Sequence, residues 1–136
     1  MSLLLDGLRI LLLEDEFLIA MDVEQLCRDH GASEVTIMRS LAEIDQQNPE
    51  IQFDVAIIDL MLGGESTLDF AKSLYNRKIP FVFASGYSDG AEIETDFPGV
   101  MLVGKPYSGA DLVEAVAASC GRPLPHVQVV GGEAIT

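Results

Sequence analysis

Three carboxylates pose the first chemical question in this chain. Glu14 and Asp15 follow the apolar run Ile10-Leu-Leu-Leu13, and Asp59 follows Val55-Ala-Ile-Ile58. Both runs are short, apolar and without alternation, the pattern of strands buried on both faces of a parallel sheet. Strands of an open α/β sheet deliver their last residues to a crevice at the carboxyl edge, where ligands bind. If the two strands are neighbours, three acids converge there. At about 4 Å and an effective dielectric near 20, each like-charge pair costs roughly 4 kcal/mol. A cation belongs among them, and carboxylate oxygens suit a divalent metal.

Ser85 and Lys105 stand at the ends of two later apolar runs, so they join the acids at the same sheet edge. The set suits phosphoryl transfer in which a side chain is the acceptor, with Asp59 as the nucleophile that becomes an aspartyl phosphate. Mg2+ takes octahedral oxygen ligation from one or two carboxylates, phosphate oxygens and waters. Asp15 and Asp59 supply carboxylates, Glu14 reaches the metal or one of its waters, and a backbone carbonyl just after Asp59 adds a ligand. Lys105 offers a point charge to the transferred phosphoryl oxygens and Ser85 a hydroxyl donor.

The elements that must hold these groups alternate strand and helix five times. Strands are expected at 9–14, 34–38, 53–58, 79–84 and 100–103. The first helix, 17–30, turns Ile19, Val23, Leu26 and Cys27 to one face and stops at Gly31. Ser40-Leu-Ala-Glu43 has capping-box spacing and opens a short helix ending before Pro49. After the turn Gly63-Gly64, Ser66 is expected to cap a third helix with Leu68, Ala71, Leu74 and Tyr75 on its face. A weak helix near 89–95 follows, and Ser108 caps a last one at 109–119, with Leu112, Ala115 and Val116 inward. Such βα units imply a doubly wound parallel sheet with right-handed crossovers.

At 136 residues the chain has the length of one domain. Residues 1–7 read as a leader, 8–120 as the domain, and 121–136, rich in Pro and Gly, as a tail or linker in which 127–130 could add an edge strand. The net charge is −14, and only Lys105 and Arg122 are basic after Lys78. Direct binding to nucleic acid or to an anionic membrane surface is therefore not expected, since phosphate neutralisation needs Lys and Arg. Leu3-Leu4-Leu5 is broken by Asp6 and Arg9, too short and charged for a signal or membrane span, so a cytoplasmic protein is expected. Cys27 and Cys120 fall at apolar helix positions and read as core packing. His30 complements a helix end beside Gly31 and His126 lies in the tail.

The spaced set Glu14-Asp15, Asp59, Ser85 and Lys105-Pro106 resembles the receiver domain of two-component response regulators, over roughly residues 8–120. The resemblance implies a flavodoxin-like five-stranded sheet of order 2-1-3-4-5 with five helices. It implies that Asp59 accepts phosphate from a histidine kinase or histidine phosphotransfer protein, that Mg2+ is held by Glu14, Asp15, Asp59 and the carbonyl of Met61, and that Ser85 and Lys105 sense the phosphoryl group. It also implies a downstream protein target and no turnover beyond self-phosphorylation and hydrolysis. Pro80-Phe-Val-Phe-Ala-Ser-Gly-Tyr87 with Lys105-Pro-Tyr107 is similar to a receiver subgroup bearing a Phe-Ala-Thr-Gly-type motif. Three departures stand out. Glu14 replaces a common Asp, Gly63 replaces a common Pro, and Leu102 stands where many receivers carry a switching aromatic.

Competing readings differ at single residues. A haloacid-dehalogenase-like phosphatase needs a second Asp two residues after the acceptor, where this chain has Met61. A dinucleotide-binding or P-loop protein needs glycines after the first strand, where this chain has Glu14-Asp-Glu16. A degenerate receiver, acting as an interaction module and never phosphorylated, is the alternative from another class. Mg2+-dependent phosphorylation separates it from a working receiver.

Overall fold

The computed structural model describes residues 3–47, 52–85, 96–104, 109–122, 128–130 and 133–135. Five parallel strands form the central sheet: β1 (Arg9–Leu13), β2 (Glu34–Met38), β3 (Val55–Asp59), β6 (Phe81–Ser85) and β7 (Leu102–Gly104). Their order is β2-β1-β3-β6-β7, the doubly wound arrangement. Two further strands, β4 (Met61–Leu62) and β5 (Glu65–Ser66), form a small hairpin just beyond β3. Among the described residues there are four helices: α1 (Phe17–Asp29), α2 (Leu41–Gln47), α3 (Leu68–Asn76) and α4 (Gly109–Ser119). The helix expected near 89–95 lies outside the described residues.

The apolar runs form strands because both of their faces are covered. Ile10, Leu12, Val55, Ile57, Val82 and Ala84 point to one side, into a core shared with Ala20, Val23 and Cys27 of α1 and Leu112, Val113 and Val116 of α4. Leu11, Leu13, Ala56, Ile58, Phe81 and Phe83 point to the other, against Ile44 of α2, Ala71 and Leu74 of α3, and Phe97. Phe81, Phe83 and Phe97 meet edge to face with centroids 5.3–6.0 Å apart. Each fully buried Leu, Ile or Phe stabilises the fold by about 1.5–3 kcal/mol. The two layers leave the strands no freedom of register, and β1 is locked to both neighbours along its length.

Helix ends follow their local chemistry. α1 closes in a Schellman motif, with the Gly31 and Ala32 amides donating to Arg28 O and Cys27 O at 3.0 Å. Gly31 adopts φ +100°, and a Cβ there would lie 2.8 Å from the Asp6 Cα, so only glycine lets the N-terminal segment cross. That segment is bound rather than loose. The Leu5 and Gly7 amides donate to His30 O and Gly31 O at 2.9 Å, and Leu5 is fully buried. The expected capping box forms at α2, where Ser40 Oγ accepts from the Glu43 amide at 3.2 Å. Its return bond goes one residue earlier, from the Arg39 amide to Glu43 Oε2 at 2.8 Å.

Several boundaries differ from the sequence reading. β3, β6 and β7 each start two residues later than expected, although the Asp54 amide and the Pro80 and Met101 carbonyls already bond to the adjacent strands. Ser66 belongs to β5, and Thr67 takes the N-cap position of α3. Beyond α4, β8 (Gln128–Val130) pairs antiparallel with β9 (Glu133–Ile135) and does not extend the central sheet. Ser108 and Val127 lie outside the described residues. Among the described residues no helix is long and apolar enough to cross a membrane.

Candidate functional site

β1 and β3 are adjacent and parallel, so the residues at their ends reach one edge of the sheet together. Glu14 leaves β1 with its amide donating to Met38 O at 3.1 Å. Its side chain is buried, 2% exposed, and Oε1 accepts the Glu16 amide at 3.1 Å. Glu16 is the N-cap residue of α1, so this carboxylate sits at the positive end of that helix. Asp15 is half-buried, and its Oδ2 accepts the Gly63 amide at 3.0 Å. Asp59 closes β3 opposite Ala84, and its Oδ1 accepts the Met61 amide at 3.3 Å.

One carboxylate oxygen from each of Glu14, Asp15 and Asp59 lies within 4.8 Å of the others. At that separation and an effective dielectric near 20, each like-charge pair opposes the fold by about 3 kcal/mol before solvent screens the two half-exposed members. A buried carboxylate in such company calls for strong compensation. The donors are all oxygen and closely grouped, which fits a hard divalent cation that retains several waters.

The remaining site residues divide sharply. Met61 is half-exposed in β4, directly beside Asp59. Ser85 closes β6 with its backbone paired to Gly104, the last residue of β7, so both strand ends share the edge that carries the acids. Lys105, Pro106, Tyr107 and Gly86-Tyr87 lie outside the described residues.

Two features of the site escaped the sequence reading. The expected Gly63-Gly64 turn, with φ of +60° and +83°, closes a hairpin that was not expected, joining β4 to β5, and the Gly63 amide reaches Asp15. The Gly-Gly pair was the available signal, but the flanking strands are too short to show alternation. Thr67 is fully buried, with its hydroxyl donating to Asp59 O at 2.6 Å. No sequence pattern marks such a bond.

The groups read as structural stay structural. Cys27 and Cys120 are free thiols. Burial pushes the Cys27 thiol up to about 12. His30 Nδ1 lies 2.9 Å from Leu26 O at the end of α1, and the ring packs there away from the acids. A cavity of about 260 Å3 between Tyr75, Lys78, Phe81 and Val100 opens at the opposite, amino edge of β6 and contains no carboxylate.

No protein-family model matches the chain. The transcriptional regulatory protein PdtaR of Mycobacterium tuberculosis is 27% identical over 137 residues, covering 94% of this chain and 63% of that protein. The chain thus spans less than two thirds of the length of that curated relative. A putative response regulator from Chloroflexus aurantiacus superposes with a TM-score of 0.74 at 23% identity, over 86% of this chain and 100% of that one. The response regulator PhyR from Brucella abortus gives a TM-score of 0.68 at 28% identity, over 84% of this chain and 47% of that one. The strand order, the acids at the carboxyl edge and these similarities together give the chain the fold of response-regulator receiver domains.

Proposed function

We propose that this receiver accepts a phosphoryl group on Asp59 from a histidine kinase or histidine phosphotransfer protein, in a reaction that depends on Mg2+. The observation that carries the proposal is the convergence of Glu14, Asp15 and Asp59 within 4.8 Å, with Glu14 buried. A carboxylate oxygen of Asp59 attacks phosphorus, the new P–O bond forms, and the P–N bond of the donor phosphohistidine breaks, returning the electron pair to the imidazole. Mg2+ held by Glu14, Asp15, Asp59 and the Met61 carbonyl supplies neutralising charge for the phosphoryl oxygens. Asp15 is fixed by Gly63 and Asp59 by Met61, so both carboxylates arrive oriented. Lys105 provides a second positive charge and Ser85 a hydroxyl donor to the transferred group.

Signalling then proceeds through docking to a partner protein, in the cytoplasm where kinase and receiver meet. The acidic surface disfavours nucleic acid as the direct target, since the net charge is −14. Catalysis in the ordinary sense is absent from this reading. The domain turns over only its own acyl phosphate.

Intact mass after incubation with acetyl phosphate tests the proposal. One phosphoryl adduct that requires Mg2+ and is lost in Asp59→Asn is the expected result. No adduct from acetyl phosphate or from phosphorylated kinases would overturn it and leave an interaction module.

A further inference from the structure

The segment between Asp59 and α3 is tied at both its base and its tip. At the base, the Thr67 hydroxyl donates to Asp59 O at 2.6 Å and approaches Leu60 O at 3.1 Å, while the Thr67 amide donates to Leu60 O at 3.1 Å. Between these points Met61 pairs with Ser66 and Leu62 with Glu65, and Leu62 is buried in the core. At the tip, the Gly63 amide holds Asp15. The two outer acids of the cluster are therefore joined through one short closed excursion, and Thr67 is its clasp.

Thr67 occupies the N-cap position of α3, where a threonine hydroxyl ordinarily accepts an amide hydrogen from the first turn of the helix. Here it makes no such cap. The Ser66 hydroxyl instead accepts the Leu68 amide at 3.2 Å, and Thr67 turns inward, fully buried, to the carbonyl of the acceptor aspartate. A buried hydroxyl diverted from helix capping to the backbone of a site residue has a positioning task.

We propose that Thr67 is a positioning residue for phosphoryl acceptance, fixing the Asp59–Met61 backbone and, through the β4–β5 hairpin, the carboxylate of Asp15. This rests on the acceptor role proposed for Asp59. Thr67 touches neither the phosphoryl group nor the metal. It acts through the carbonyl of Asp59 and the hairpin, as supporting hydrogen bonds do around metal ligands.

The test compares wild type, Thr67→Val, which keeps the shape and removes the donor, and Thr67→Ser, which restores it. Each is labelled with acetyl phosphate across a Mg2+ titration, and the Tm of each is recorded. Thr67→Val is expected to shift the Mg2+ midpoint upward and slow labelling at saturating Mg2+, together by about tenfold or more. Thr67→Ser is expected to recover both to within about twofold of wild type, the mark of the donor rather than the side-chain volume. Should Thr67→Val fail to fold, Thr67→Ala, which asks for no added space, is read in the same way. Wild-type Mg2+ midpoint and labelling rate in the donor-less variant, with only Tm lowered, would overturn the positioning role while leaving the acceptor role intact. Absence of labelling in wild type itself would overturn both.

Discussion

Asp54 and Asp59 flank the same strand, and the fold treats them in opposite ways. Asp54, at the amino edge, accepts from Arg9 at three points: the backbone amide at 2.8 Å, Nε at 3.2 Å and Nη2 at 3.0 Å. The side-chain bonds from Arg9, with its backbone amide, hold the Asp54 carboxyl below the ordinary aspartate range. Asp59, at the carboxyl edge, stands within 4.8 Å of two more acids. One aspartate is matched by a neighbour of opposite charge, and its role ends with the fold. The other is gathered with like charge, which stability alone would not select. Sites that depart from local electrostatic balance are where a ligand is expected.

The contrast breaks first at Asp59. Asp59→Asn removes the nucleophile, so labelling by acetyl phosphate falls to nothing, and Mg2+ affinity measured by calorimetry drops at least tenfold. Labelling that survives in this variant would place the acceptor elsewhere. Metal addition gives the next effect. At a Mg2+ concentration about 100 times the dissociation constant, the folded wild type gains roughly 2.7 kcal/mol, and its Tm rises and returns on chelation.

Asp15→Asn sharpens the comparison because its two consequences have opposite sign. Without metal the variant is expected to melt at a higher temperature than wild type, since one like charge is gone and the Asn oxygen still accepts from Gly63. With metal it is expected to gain less. A lower Tm without metal would show that the cluster is not repulsive.

At the amino edge, stability responds and metal does not. Lys78, two residues beyond the last residue of α3, has φ +61°, a left-handed position that favours glycine. Lys78→Gly should stabilise the fold by about 1 kcal/mol, seen as a raised denaturant midpoint with unchanged Mg2+ affinity. Asp54→Asn should give the smallest change, a slight loss of stability at neutral pH, because the Arg9 pair is partly exposed to solvent, which screens it. The sign with pH follows from the lowered carboxyl. Its contribution is whole above the unfolded aspartate value and disappears as pH falls through the folded one, so wild type and variant should converge in acid.

The same two edges show what could be read from sequence. Glu14, Asp15 and Asp59 were legible because strands buried on both faces announce themselves as unbroken apolar runs, and a charge that ends such a run must lie at a sheet edge. The strand order was implied by resemblance and agrees with the structure. The bond between Arg9 and Asp54 was hidden because its partners are far apart in sequence and neither breaks a pattern. The left-handed Lys78 was hidden for a related reason, since a lysine carries none of the turn signal a glycine would. Thr67 carried no signal, because a threonine beside a helix start has an obvious local use for its hydroxyl. The burial of Leu5 depends on a crossing that Gly31 permits, and residues 1–7 taken alone show only a short apolar stretch.

The most direct measurement is chemical trapping of the acceptor. Borohydride reduces an acyl phosphate to the alcohol, converting a phosphorylated aspartate to homoserine and releasing phosphate. After incubation with acetyl phosphate and reduction, peptide sequencing by mass spectrometry reads the position. Homoserine at 59, present with Mg2+ and absent without it, is the expected result. A reduced residue at any other carboxylate, or none in the presence of Mg2+, would contradict Asp59 as the phosphoryl acceptor.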